Sequence, residues 1–143
     1  MTGSTGLVGS ELCQHLRKLG HLPVPVVRRE AREDEISWDP AAGRLAVADL
    51  EGLDAVVHLA GENISEGRWT DAKKKRIRDS RVESTRLLAE SLAQVDRKPT
   101  VFLSASAIGY YGDKGHEVCT EASLPGDDFL ARVCQEWEAA AGP

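Results

Sequence analysis

The sequence predicts an α/β chain organised as a doubly wound parallel sheet, and three observations carry that prediction. The chain opens with the pattern T-G-x-x-G-x-x-G at Thr2, Gly3, Gly6 and Gly9, and Val8, Leu12, Leu16 and Leu19 follow at helical spacing. Residues 54–61 and 100–106 are short apolar runs bounded by turn residues, as in strands covered on both faces. Helical stretches over residues 69–95 and 128–141 separate and follow those runs. Such alternation makes the sheet parallel and its crossovers right-handed.

Each element has a local reason. Three glycines at this spacing let the backbone turn sharply, approach a pyrophosphate closely and pack a helix against a sheet. Residues 6–9 open an amphipathic helix that Gly20 can end, and the unpaired amides and positive end of that helix face a phosphate. A glycine triplet also serves as a plain turn, so its context has to decide. Residues 21–28 form a short strand ending in Arg28 and Arg29; Pro23 and Pro25 cannot donate to a ladder, which leaves the pairing mainly to Val26 and Val27. Ile36-Ser37-Trp38 makes a further short strand closed by Asp39-Pro40, and residues 41–51 are ambiguous. The run 54–61 is the clearest strand of the chain. The helix over 69–95 presents Ile77, Val82, Leu87, Leu88 and Leu92, and Pro99 resets the chain before the run 100–106. Gly109-Tyr110-Tyr111-Gly112 is a turn, and the last helix carries Phe129, Val133 and Trp137 spaced by four.

With 143 residues and a net charge of −5, the chain has the size of one domain and can bury a core. No apolar run approaches the roughly 20 residues that cross a bilayer, so no membrane partner and a cytoplasmic location are expected. The acidic balance argues against nucleic acid, and the basic run Lys73-Lys74-Lys75-Arg76 reads as a solvated helix face. Cys13, Cys119 and Cys134 lie far apart, without a C-x-x-C pair, and are expected to be reduced and structural. His15, His21, His58 and His116 have no metal-ligand spacing, so no metal is expected, and His58 reads as a packed strand residue. No lysine followed by serine or threonine closes the glycine loop, which excludes a Walker-type site.

Both ends depart from the pattern. Only Met1 and Thr2 precede Gly3, where a strand should lead into the loop, and the chain stops at Gly142-Pro143 after a helix. Residues 1–143 are therefore expected to be a partial dinucleotide-binding domain, lacking its first strand and the substrate domain. Expressed alone, such a fragment is expected to be aggregated or molten, since the flanking strands would lose their ladder partners.

The glycine run, His58-Leu59-Ala60-Gly61 and residues 104–112 (S-A-S-A-I-G-Y-Y-G) stand in an order that resembles extended short-chain dehydrogenases/reductases. Trp38-Asp39, residues 59–64, Ser80-Arg81 and Trp137-Glu138 make the chain similar to their atypical branch, the epimerase family proteins, related to nucleotide-sugar epimerases. The resemblance covers nearly the whole chain but about the first half of a typical member. It implies a Rossmann-type fold with an NAD(P) site. Gly3, Ser4, Thr5, Gly6, Leu7, Val8 and Gly9 would hold the pyrophosphate, with Leu59, Ala60 and Gly61 beside the ribose and nicotinamide and Gly61 small so as not to crowd the cofactor. Arg28 and Arg29 lie about twenty residues past Gly9, where an acidic residue would grip the ribose of NAD. Two cations there suit a 2′-phosphate, which favours NADP over NAD, unless both are merely solvated. Asp39 either touches adenine or starts a turn, and Glu62 and Asn63 either reach substrate or close one.

In the superfamily a tyrosine, with a lysine four residues later, moves the proton that accompanies hydride transfer, and a serine at the preceding strand end polarises the substrate carbonyl. Ser106 matches that serine, with Ser104 second. Leu130 and Cys134 stand where the tyrosine and lysine would be, and Arg81 where related enzymes carry an asparagine. Two expectations follow. In one, the protein is an oxidoreductase or epimerase-like enzyme on a small-molecule substrate, with Ser106 orienting it and Tyr110 or Tyr111 taking the proton role; packing beside Gly109 and Gly112 is the alternative for both tyrosines. In the other, it is an NADPH-binding redox-sensing module without turnover. The helices over 69–95 and after Asp128 resemble a pair that builds dimer interfaces in the superfamily, so a homodimer is possible.

Overall fold

The structure is a computed structural model and describes residues 1–142; Pro143 lies outside the described residues. In chain order the elements are α1 (Leu7–Lys18), β1 (Val26–Val27), β2 (Ile36–Asp39), β3 (Arg44–Leu45), β4 (Ala55–His58), α2 (Asp71–Gln94), β5 (Val101–Ser104) and α3 (Phe129–Ala139). Short 3-10 turns lie at Pro40–Ala42, Val47–Leu50 and Ile108–Tyr111.

Helix ends follow the chemistry of their residues. Gly6 precedes α1 without any side-chain cap. At its other end Gly20 takes φ +84°, and the amides of Gly20 and His21 bond to the carbonyls of Arg17 and Leu16, a left-handed glycine stop. Thr70 caps α2 by accepting from the Lys73 amide, and Asp128 caps α3 by accepting from Ala131.

The sheet runs β2-β1-Thr2-β4-β5, all parallel. β1 pairs with β2 through Val26–Ile36, and β4 with β5 from Ala55–Val101 to His58–Ser104. Between the two pairs stands Thr2, bridged in parallel to Val26 on one side and His58 on the other. The Thr2 amide donates to the Val57 carbonyl at 3.0 Å and the Val26 amide to that of Met1 at 2.8 Å. The position expected to lack a strand is thus filled at one residue.

One expectation holds and two are corrected. The strand over 21–28 pairs only at Val26–Val27, the two residues the prolines were expected to leave. The sheet is not wholly parallel: β3 pairs antiparallel with β2. Asp39 accepts from the Ala42 amide and Gly43 adopts φ +63°, folding the chain back from Pro40 into a hairpin that alternation over two residues could not announce. Nor are both faces of the sheet closed. On one face Val26, Ile36, Trp38 and Val56 pack with Leu88, Leu92 and Val95 at α2, and α3 adds Trp137 and Ala140 against Val82. On the other face α1 buries only Gly9 and Cys13, its Val8 and Leu19 are 65% and 61% exposed, and Leu103 of β5 is 58% exposed.

Candidate functional site

A cleft of about 640 Å³ opens at the carboxyl ends of β1 and β4, and its walls are Gly3, Ser4, Thr5 and Gly6, residues 26–29, and residues 59–63. It lies at the carboxyl ends of parallel strands, where the strand order runs outward from Thr2 to β1 on one side and β4 on the other, the place where α/β sheets take ligands. Nine of the positions singled out from the sequence meet here: Gly3, Ser4, Thr5, Gly6, Arg28, Arg29, Leu59, Ala60 and Gly61.

The loop is shaped by backbone contact. Gly3 has φ +65°, and a Cβ there would stand 2.7 Å from the Leu59 carbonyl; at Gly9 a Cβ would stand 2.1 Å from the Gly3 oxygen. Only glycine lets the helix start pack so tightly on the loop. The Gly6 amide bonds to the Gly3 carbonyl and that of Ser10 to Gly6, while among the described residues nothing accepts from the amides of Leu7, Val8 and Gly9. These three residues do not line the cleft with side chains, and Leu7 is 88% exposed. What they offer is the donor-rich start of a helix.

The two arginines differ. Arg29 is engaged by Glu35 through both guanidinium nitrogens at 2.6 and 2.7 Å. That contact, with the Arg32 amide, pulls the Glu35 carboxyl down to about 2. Arg28 forms no ion pair among the described residues. Both also border a hollow of about 420 Å³ with Ser37, Asp39 and Arg44. There Arg44 pairs with Asp39 at 2.7 Å, so Asp39 closes its turn and holds a cation. Sequence reasoning missed Arg44 because only the β3 hairpin carries it there.

Behind the other wall, the Leu59 and Ala60 amides both donate to Thr2 Oγ1, at 3.1 and 3.2 Å. Thr2 Oγ1 lies 2.6 Å from His58 Nδ1, and His58 Nε2 lies 3.2 Å from Ser84 Oγ. His58 is fully buried, and burial, with the Met1 ammonium nearby, lowers its pKa to about 4. Glu62 gives its amide to Ser80 Oγ at 2.9 Å, and its carboxylate pairs with Lys73 at 2.9 Å and Arg76 at 3.2 Å. Those cations, Lys73 first, hold the Glu62 carboxyl below its usual range. Lys73 is only 6% exposed and also donates to the Asn63 carbonyl at 2.6 Å, so the basic run is not uniformly solvated. Asn63 Oδ1 accepts from the Ser65 amide and closes the turn. Gly61 also has a neighbour within the chain: a Cβ there would meet the Arg81 guanidinium at 3.2 Å. Arg81 donates to the Glu62 and Ile77 carbonyls and lies over the Trp137 ring at 5.3 Å.

Ser106, Tyr110 and Tyr111 do not line the cleft. The Ser106 hydroxyl donates to the Glu138 carboxylate, and the two tyrosine rings meet edge to face at 5.3 Å. Desolvation, with Glu121 nearby, pushes the Tyr111 phenol above its ordinary value. Ser104 Oγ turns to its neighbour's carbonyl. Cys134 is buried beside Gly109, and burial raises its thiol, which suits a packed and reduced residue. Among the described residues no cluster of three or more His, Cys, Asp or Glu could hold a metal, and no helix is long and apolar enough to cross a membrane.

Known proteins share this architecture. Residues 1–131 match the family described as NAD dependent epimerase/dehydratase. An epimerase family protein of Mycobacterium leprae is 39% identical over 144 aligned residues, covering all of this chain and 46% of that protein. The structure of human epimerase family protein SDR39U1 with NADPH superposes with TM-score 0.85 at 34% identity, over 99% of this chain and 48% of that one. That of the nucleoside-diphosphate sugar epimerase from Corynebacterium glutamicum gives 0.82 at 44% identity, over 98% and 29%. The chain spans a little under half the length of the curated relatives it matches. With the family pattern running through all five strands and into α3, this chain belongs to the NAD dependent epimerase/dehydratase family.

Proposed function

We propose that the chain holds a nicotinamide dinucleotide in this cleft, NADP in preference to NAD, as part of an oxidoreductase or epimerase-like enzyme. Its substrate is a carbonyl compound or a nucleotide-sugar-like molecule. The supporting observation is the pairing of opposite needs: free amides at the start of α1 suit a pyrophosphate, and the unpaired Arg28 suits a further phosphate on the ribose. The human relative crystallised with NADPH lends support to the same cofactor. When bound, the nicotinamide supplies hydride transfer. Gly3, Ser4, Thr5 and Gly6 line the pyrophosphate, the amides of Leu7, Val8 and Gly9 donate, and Leu59, Ala60 and Gly61 border the ribose. Ser106 orients the substrate carbonyl and Tyr110 or Tyr111 exchanges its proton. Self-association through α2 and α3 and a cytoplasmic location complete this reading.

A charge-assisted hydrogen bond of about 1.5–3 kcal/mol corresponds to roughly 10- to 150-fold in affinity. Replacing Arg28 and Arg29 together by alanine is therefore expected to weaken NADPH binding at least tenfold and leave NADH nearly unchanged, as read by titration of the cofactor's fluorescence. Equal losses for both cofactors would reject the NADP preference.

One group of observations favours a second reading, a redox-sensing module that binds NADPH without turnover. Leu130 and Cys134 occupy the tyrosine and lysine positions, Ser106 is bound to Glu138, and Tyr111 is shifted away from easy ionisation. Incubating the protein and NADPH with a panel of carbonyl compounds and nucleotide sugars separates the two: tight binding with no cofactor oxidation favours the module.

A further inference from the structure

Three hydroxyl and ring groups form a buried line beneath the cleft, and their hydrogen atoms can be placed by counting. Thr2 Oγ1 has two lone pairs and one proton. The amides of Leu59 and Ala60 occupy both pairs, at 3.1 and 3.2 Å. The hydroxyl proton must then go to the third neighbour, His58 Nδ1, at 2.6 Å. Nδ1 is therefore an acceptor, and the neutral ring carries its proton on Nε2. From Nε2 the line continues to Ser84 Oγ at 3.2 Å, whose own proton goes to the Ser80 carbonyl at 2.7 Å. The opposite tautomer would aim Nδ1–H at an oxygen already filled by two donors, and one amide of the loop would have to let go.

The direction of this line decides what the cleft wall offers. The amides of Leu59 and Ala60 are consumed by Thr2 and that of Glu62 by Ser80, whose hydroxyl in turn donates to Ile77. Among the described residues, the carbonyls of Leu59, Ala60 and Gly61 accept from nothing in the chain. Of the amides of residues 59–61 that of Gly61 alone is without an acceptor among the described residues, so acceptors outnumber donors at the end of β4, the reverse of the glycine loop across the cleft.

We propose that His58 is a positioning residue: held as the Nε2–H tautomer, it fixes Thr2 as a double acceptor and so makes the wall of Leu59, Ala60 and Gly61 a receptor for hydroxyl or carboxamide donors rather than for phosphate. The assignment rests on the dinucleotide reading for its ligand but not for its tautomer. It orients the ligand by chemistry, with phosphates at the start of α1 and the hydroxyl-bearing or amide-bearing part at the end of β4.

The tautomer is read first, on the full chain without cofactor, from the long-range nitrogen–proton NMR spectrum of the His58 ring at neutral pH. A protonated Nε2 with a bare Nδ1 is expected, and a protonated Nδ1 overturns the proposal even if every variant fails to fold. The wall is then tested with Thr2→Val, which keeps the shape and removes the acceptor, and Thr2→Ser, which restores it. Thr2→Val is expected to weaken NADPH binding about tenfold, roughly 1.4 kcal/mol, with Thr2→Ser near the parent and inorganic pyrophosphate bound equally by all three. Undiminished NADPH binding by a folded Thr2→Val, or an equal loss for pyrophosphate, overturns the role in positioning. A parent protein that binds no NADPH defeats the cofactor reading alone and leaves the tautomer result standing.

Discussion

The two faces of the sheet are built to different standards. Under α2 and α3, Ile77, Val82 and Leu88 are sealed from solvent and Trp137 closes the end of the layer. Under α1 the contact is narrow, with Leu7, Val8 and Leu19 turned to water and Leu103 of β5 largely bare. The difference teaches where order in the site comes from. The acceptor wall at the end of β4 is tied into the well-packed face through Thr2, His58, Ser80 and Ser84. By contrast, the glycine loop leans on the thin face and owes its shape to the absence of side chains at Gly3 and Gly9.

Four substitutions or conditions sharpen that contrast, beginning with the largest. Leu88→Ala leaves a cavity in the packed face and is expected to cost about 2–5 kcal/mol in denaturant unfolding. Acid comes next. His58 titrates at about 4 in the folded chain, against an ordinary value of 6.5. Between those values the unfolded chain takes a proton that the folded chain refuses. Stability from this group is therefore intact above pH 6.5 and falls as the pH drops toward 4, by roughly 3 kcal/mol. His58→Gln should flatten that part of the pH profile of the unfolding midpoint. On the thin face, Gly9→Ala forces the helix start away from the loop and is expected to cost about 1–3 kcal/mol, with cofactor affinity falling alongside. Last, Leu7→Ser, on the same helix two residues earlier, should change stability by less than about 0.5 kcal/mol. A large effect at Leu7 would mean that the thin face is covered in solution.

Local chemistry made much of this readable. Proline placement announced that β1 would pair mainly at Val26 and Val27, and Gly20 marked the end of α1 to within a residue or two. The glycine spacing located the cleft, because it states a backbone requirement independent of the rest of the fold. What stayed hidden depends on residues distant in sequence. Thr2 looked like the edge of a motif, and only its place between Val26 and His58 makes it an acceptor for a loop more than fifty residues away. Lys73 belonged to a run of cations until Glu62 and the Asn63 carbonyl met it. Gly61 has a second neighbour that nothing in the local sequence announces, the Arg81 guanidinium. Ser106, Tyr110 and Tyr111 follow the end of β5 and lie outside the walls of this cleft, and the partner of Ser106, Glu138, comes from α3, thirty-two residues on.

The lone bridging residue, Thr2, has a mechanical meaning. Among the described residues its two bridges alone join the half-sheet of β1 and β2 to that of β4 and β5, and one bank of the cleft belongs to each half. The spacing of the two banks is therefore set at the Thr2 bridges and by the helices packed across the sheet. A molecule touching both banks would join the two half-sheets a second time, across the gap that one threonine spans alone.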